Sequence, residues 1–164
     1  MNLELINFID VPYELQLETR NWRNAADVSK FFKLKLISEE THKKWLKSLT
    51  EKFPLSIAFI IYVNSIAVGV TYFHSIDYKN KQADWGIYIY NTNYRGQGVG
   101  HKVLNNCIEY ATKELRLKNL FLDVNKFNTH AINLYKSFDF KICCNEDAEF
   151  LRYQKDLRSL EKCQ

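Results

Sequence analysis

Apolar residues recur along the chain with two distinct periods. Short runs rich in β-branched and aromatic residues at 2–11, 57–63, 66–74, 83–90, 120–124, 140–144 and 149–155 predict strands. Asn64-Ser65 joins two of them as a hairpin, and Lys79 to Lys81 turns the chain into the next. Helical spacing appears elsewhere. Residues 13–32 read as mostly helical, with a break at 21–24. Ser38 is placed to cap a helix carrying His42, Trp45, Leu46 and Leu49 at i, i+3, i+4 and i+7. Val99, Val103, Leu104, Cys107, Ile108, Ala111 and Leu115 mark a long amphipathic helix, and Ala131, Leu134, Tyr135 and Phe138 the stripe of another. The order is strand, helices, three antiparallel strands, helix, strand, helix, two strands. That order predicts a mixed, mostly antiparallel α/β (α+β) sheet of about seven strands with about four helices, rather than a doubly wound parallel one.

Composition narrows the picture. The 164 residues, 46% of them hydrophobic, suit one domain spanning 1–164 and can bury a core without disulfides or metal. A net charge of +4 with scattered lysines gives no nucleic-acid footprint, so no nucleic-acid partner is expected. The apolar run 57–63 is far too short to cross a bilayer, and no membrane partner is expected. Residues 1–5 lack a basic n-region followed by an apolar one, so no signal peptide is read. Cys107, Cys143, Cys144 and Cys163 have neither metal-ligand spacing nor the density of a secreted scaffold. Reduced cysteines, a cytoplasmic protein and no metal are the expectation. Cys143 and Cys144 are expected to point to opposite faces of one strand.

Glycine is scarce at five residues, yet Gly96, Gly98 and Gly100 fall within one short window between a strand and a helix. Closely spaced glycines allow positive φ and bring backbone amides near a ligand, and the following helix adds unpaired N–H donors. Arg95-Gly96-Gln97-Gly98-Val99-Gly100 therefore reads as an anion cradle. It is neither common nucleotide loop: His101 rather than lysine follows Gly100, and the glycine spacing is not that of Gly-x-Gly-x-x-Gly.

This segment resembles the Arg/Gln-x-x-Gly-x-Gly/Ala acyl-CoA signature of the GNAT superfamily of N-acetyltransferases. Leu122-Asp123-Val124, followed by Asn128, Ala131 and Tyr135, is similar to that superfamily's second half, and Phe140 to the end of a Gly-Phe pair. Asp139 stands where glycine is usual. The resemblance implies an enzyme using acetyl-CoA as co-substrate, and a sheet splayed between its fourth and fifth strands. It implies that Ile87, Tyr88 and Ile89 pair with the pantetheine arm, that Asn128 lies against that arm, and that Tyr135 is the general acid. More narrowly, Arg20-Asn21-Trp22-Arg23-Asn24, Ile37-Ser38-Glu39-Glu40-Thr41-His42 and Gly86-Ile87-Tyr88 resemble the pseudaminic-acid-pathway acetyltransferases. Those enzymes acetylate the 4-amino group of a UDP-linked 4-amino-4,6-dideoxy sugar of the altrosamine type, for flagellin glycan.

Acetyl transfer to an amine sets the roles to be filled. The Gly96, Gln97, Gly98, Val99, Gly100 and His101 backbone holds pyrophosphate, with Arg95 adding charge. A backbone N–H of the strand 85–90 polarises the thioester carbonyl. The amine must lose a proton. Asp123, at the carboxyl end of its strand, is one candidate base; an ordinary aspartate is weak in that role and needs burial or a relaying water. Asp84 is the alternative, and His74 a third choice that doubles as a substrate contact. Tyr135 read alone is a core tyrosine with its hydroxyl at the edge. For the acceptor, Arg20 and Arg23 suit a diphosphate, with Asn21 beside them. Trp22 suits a base or sugar, and Trp85 the acceptor groove. A small nucleotide-sugar acceptor and a monomer or homodimer are expected. A protein N-terminal acetyltransferase of the ribosomal-protein type and a non-catalytic acyl-CoA sensor are the alternatives.

Overall fold

Every position of Ile57–Val63 is apolar or aromatic, and this stretch forms strand β2 of a computed structural model that describes residues 1–144 and 149–158. A strand so patterned must be covered on both faces. Its alternate side chains serve two cores: Phe59, Ile61 and Val63 enter one, Ala58 and Ile60 the other. The remaining strands are β1 (Leu3–Asn7), β3 (Ile66–Asp77), β4 (Gln82–Ile89), β5 (Asn119–Asn125), β6 (Lys141–Cys144) and β7 (Phe150–Asp156). They form one seven-stranded sheet in the order β1-β2-β3-β4-β5-β7-β6. Among the described residues only the β4–β5 pairing is parallel.

Helices α4 (Val99–Lys113) and α5 (Thr129–Ser137) cover the first core. Val103, Leu104, Cys107 and Ala111 supply the buried stripe of α4, and Tyr135 the buried position of α5. Helices α1 (Tyr13–Asn24) and α3 (Glu39–Ser48) cover the second core with Trp22, Leu46 and neighbouring Leu49. The short α2 (Ala26–Ser29) lies between them in sequence. The expected mixed architecture and its element order are observed, with α2 as a fifth helix.

Local chemistry explains the boundaries. The Ser38 hydroxyl accepts the Thr41 amide at 3.1 Å and caps α3 as expected. Asn64 and Ser65 take φ of 49° and 65°, the two positive values of a tight hairpin turn. The first strand stops at Asn7 rather than Val11, because the Asn7 side chain accepts the Ile9 amide and starts a 3-10 turn over Phe8–Asp10. The break expected within 21–24 falls at Ala25, whose ψ of 136° ends α1. Asp139 adopts φ 60°, the conformation that glycine takes freely and aspartate tolerates. The departure from the Gly-Phe pair thus changes the residue and not the backbone. Cys143 is exposed and Cys107 buried; the side chain of Cys144 and all of Cys163 lie outside the described residues.

Gly69 in β3 faces β4 so closely that an added Cβ would overlap the Tyr88 carbonyl oxygen, which is fixed in the neighbouring strand. Gly69→Ala is expected to cost about 1–3 kcal/mol, as overpacking does. A denaturant midpoint equal to that of the unsubstituted protein would show that the strands can part there.

Candidate active site

Strands β4 and β5 pair for only three residues, Gln82–Asp84 against Asn119–Phe121. Beyond that point each strand keeps its other neighbour. Trp85 to Ile89 stay paired with β3, and Leu122 to Asn125 with β7. The facing edges of β4 and β5 are left without each other. Backbone N–H and C=O groups are obligatory hydrogen-bonding groups, so two such edges form a ready slot for an extended, amide-bearing ligand.

The slot opens into a cavity of about 470 Å³, within the range of small-molecule sites. Trp85 to Tyr88 wall it on the β4 side and Asp123 to Asn125 on the β5 side. Tyr135 lines it from α5, His74 from β3, and Asn128 from the α5 cap, where its Oδ1 accepts the Ala131 amide at 3.2 Å. Phe31, Phe32, Lys33 and Leu34 close it from the segment after α2. Burial raises the Tyr135 phenol above its ordinary value, and nearby Tyr72 adds to the shift. The hydroxyl therefore keeps its proton through the neutral range. Tyr72 is itself pushed up to about 12 by burial.

An arginine that sequence reasoning missed organises the acids. Arg152 Nη1 lies 2.7 Å from Asp84 Oδ1 and 3.0 Å from Asp123 Oδ1. Asp123 and Arg152 are directly opposed residues of β5 and β7, a register that no sequence pattern discloses. Lys33 Nζ takes the other Asp123 oxygen at 3.1 Å. Asp84 is turned to Arg152 and is not part of the cavity wall. His74 stands opposite Asp84 across β3 and β4, with Nδ1 3.2 Å from the Ser75 hydroxyl. Enclosure by protein lowers its pKa despite the raising effects of Asp84 and Asp123, which favours the neutral ring.

The other expected contacts divide. Arg23 reaches the cavity: its Nη2 donates to the Leu34 carbonyl at 2.8 Å and its guanidinium lies 3.5 Å over the Phe32 ring. Its buried Nη1 has no partner among the described residues, and burial lowers its pKa. Arg20 and Asn21 do not line the cavity; Arg20 holds the Ile37 carbonyl and Asn21 the Glu18 carboxylate. Trp22 is packed in the core, stacked on Tyr90 at 4.1 Å, which removes it from any acceptor. Trp85 is 2% exposed and meets Tyr135 edge-on, so it supports that ring more than it offers a groove.

The glycine turn lies beyond the end of β4 and outside the cavity wall. Gly96 and Gly98 take φ of 72° and 78°, and open space surrounds the Cβ position of each. Gly98 is the N-cap of α4. Val99 is buried in the core and Gly100 packs on Leu134, where a Cβ would lie 3.3 Å from Cδ2, so these two shape the turn from behind. The His101 ring packs 4.6 Å from that of Phe138. Arg95 is engaged within the protein at three points. Its Nε and Nη2 donate to the carbonyls of Ile89 (2.8 Å) and Tyr90 (3.3 Å), and its Nη1 lies 2.7 Å from Asp27.

Among the described residues no group of His, Cys, Asp or Glu could hold a metal ion, and no helix is long and apolar enough to cross a membrane. The split sheet and the positive-φ glycine turn opening α4 together offer backbone amides to an extended ligand, with the protonated Tyr135 phenol on the cavity wall. The sequence matches the acetyltransferase (GNAT) family over residues 17–140, and the chain belongs to that family. It is 31% identical over 162 residues to acetyltransferase PseH of Campylobacter jejuni strain 81-176, covering 96% of this chain and 98% of that protein. The crystal structure of Campylobacter jejuni N-acetyltransferase PseH in complex with acetyl coenzyme A superposes with a TM-score of 0.71 at 25% identity, over 94% of this chain and 99% of that one. Spermidine N-acetyltransferase from Vibrio cholerae, in complex with CoA and spermine, gives 0.81 at 17% identity, over 95% and 96% of the two chains, and shows the fold alone.

His42 is buried on α3, with Nε2 2.8 Å from the Gln16 carbonyl oxygen, and burial lowers its pKa from 6.5. The unfolded chain therefore takes up that proton first. Its contribution to stability is complete above about pH 6.5 and is lost as pH falls through the lower folded value. His42→Gln, which keeps a donor for Gln16, is expected to flatten the unfolding free energy against pH below neutrality. Parallel curves for the two proteins would contradict this.

Proposed function

We propose that the chain, as a single domain, transfers the acetyl group of acetyl-CoA to the 4-amino group of a UDP-linked 4-amino-4,6-dideoxy sugar in pseudaminic acid biosynthesis. Acetyl-CoA supplies the acyl group as a thioester. The residues present suit it: the unpaired edges of β4 and β5 take its amide-bearing arm, and the amides of Gly96 to His101 take its pyrophosphate. Backbone donors along Ile87 to Ile89 would polarise the thioester carbonyl as its oxygen gains charge.

Asp123 receives the proton of the incoming ammonium at Oδ2, the oxygen that Lys33 now holds. Arg152 keeps the carboxylate in place through Oδ1. Tyr135, protonated through the neutral range, supplies the proton that the departing thiolate takes.

One observation favours this acceptor over a polyamine: the buried Arg23, with an unpaired Nη1 on the cavity wall. An uncompensated buried guanidinium repels a cationic chain and rewards a phosphate. The likeness to PseH over nearly the whole chain supports the same assignment. UDP-sugar titration by calorimetry tests it. Binding is expected, and Arg23→Met is expected to weaken it by at least about tenfold, as loss of a charged hydrogen bond does. No binding of the nucleotide sugar, with acetyl-CoA still bound, would overturn the acceptor assignment. Tyr135→Phe is expected to lower kcat by about 10²-fold or more while leaving acetyl-CoA affinity intact. An unchanged kcat would remove the tyrosine from the mechanism.

A further inference from the structure

We propose that Lys33 is a site of self-acetylation, because its amine already stands where the acceptor amine must come. The segment between α2 and α3 is tied over the cavity at several points. Asn24 bonds both backbone groups of Ile37, at 2.8 and 2.9 Å, and Arg23 and Arg20 hold the Leu34 and Ile37 carbonyls. These ties carry Lys33 across to β5. There its Nζ lies 3.1 Å from Asp123 Oδ2 and 5.4 Å over the Phe150 ring.

The other lysines paired with acids among the described residues differ: the exposed Lys35 lies 3.7 Å from Glu149 and is not part of the cavity wall. Lys43, Lys44 and Lys113 pair with glutamates one helical turn away on exposed faces. Lys33 alone of these five lines the cavity that Tyr135 also lines. It is a primary amine, the chemical class the proposed reaction acetylates, and it sits on the carboxylate assigned to take the amine proton.

The step balances without any further reactant. Asp123 Oδ2 takes a proton from the Lys33 ammonium, and the freed lone pair attacks the acetyl carbonyl carbon of acetyl-CoA. A C–N bond forms and the thioester C–S bond breaks. The thiolate takes the Tyr135 proton, the tyrosinate takes the second proton that the nitrogen sheds as the adduct collapses to the amide, and Asp123 returns its proton to water, so one proton is released overall. The product amide carries no charge, so the ion pair with Asp123 is lost and the tie between the roof and β5 with it. The inference rests on acetyl-CoA binding in the slot as proposed above.

The test incubates the full chain with acetyl-CoA and no acceptor, followed by intact mass and peptide mapping, with acetyl-CoA binding measured separately by calorimetry. The expected result is one acetyl group on Lys33, gained well ahead of Lys44 and Lys113 and at a rate independent of protein concentration. Tyr135→Phe should slow that gain by about 10²-fold, and Lys33→Arg should abolish it. Acetyl-CoA that binds while Lys33 is modified no faster than Lys44, or equally fast in Tyr135→Phe, overturns self-acetylation and leaves the donor assignment standing. Absence of acetyl-CoA binding overturns both.

Discussion

The early end of the β4–β5 ladder is the constraint on which the molecule is organised. A parallel pair that stops after Asp84 and Phe121 exposes two backbone edges inside the protein, where unpaired amides and carbonyls are costly. The sheet tolerates this because each strand has a full partner on its other side, β3 for β4 and β7 for β5. Two apolar cores, one on each face, hold those halves together. Arg95 fixes the far end of β4 by binding the Ile89 and Tyr90 carbonyls and pairing with Asp27 of α2.

Charge is distributed unevenly around the opening. On the β5 side Arg152 and Lys33 share Asp123, and Arg152 also neutralises Asp84, so like charges meet only with a cation between them. Elsewhere on the cavity wall Arg23 carries a buried charge whose Nη1 is unmatched among the described residues. An anionic acceptor completes that arrangement and a cationic one opposes it. The protonated phenol of Tyr135 lines the same cavity, its ring set by the edge of Trp85.

What the sequence discloses and what it conceals have separate physical causes. Periodicity located the strands and helices because burial on one or two faces writes itself into residue order, as in β2 and α4. The glycine turn was legible because positive φ restricts residue choice, and Gly96 and Gly98 carry those values. Asp139 shows the limit of that rule, holding φ 60° without a glycine. Arg152 and Lys33 were not legible. One owes its place to the β5–β7 register and the other to a loop fixed by side-chain bonds to its backbone. Trp22 and Arg20 misled because an aromatic or a guanidinium on a helix can serve packing or a carbonyl as well as a ligand.

The parted strands as a seat for acetyl-CoA are the centre of this account. Amide hydrogen exchange, followed with and without acetyl-CoA, tests them most directly. New protection is predicted at the slot-facing amides within Trp85 to Ile89, and at Gly98 to His101, with little change in β1 and β2. Saturating acetyl-CoA that leaves the amides of β4 and the glycine turn exchanging at their unliganded rates would contradict it.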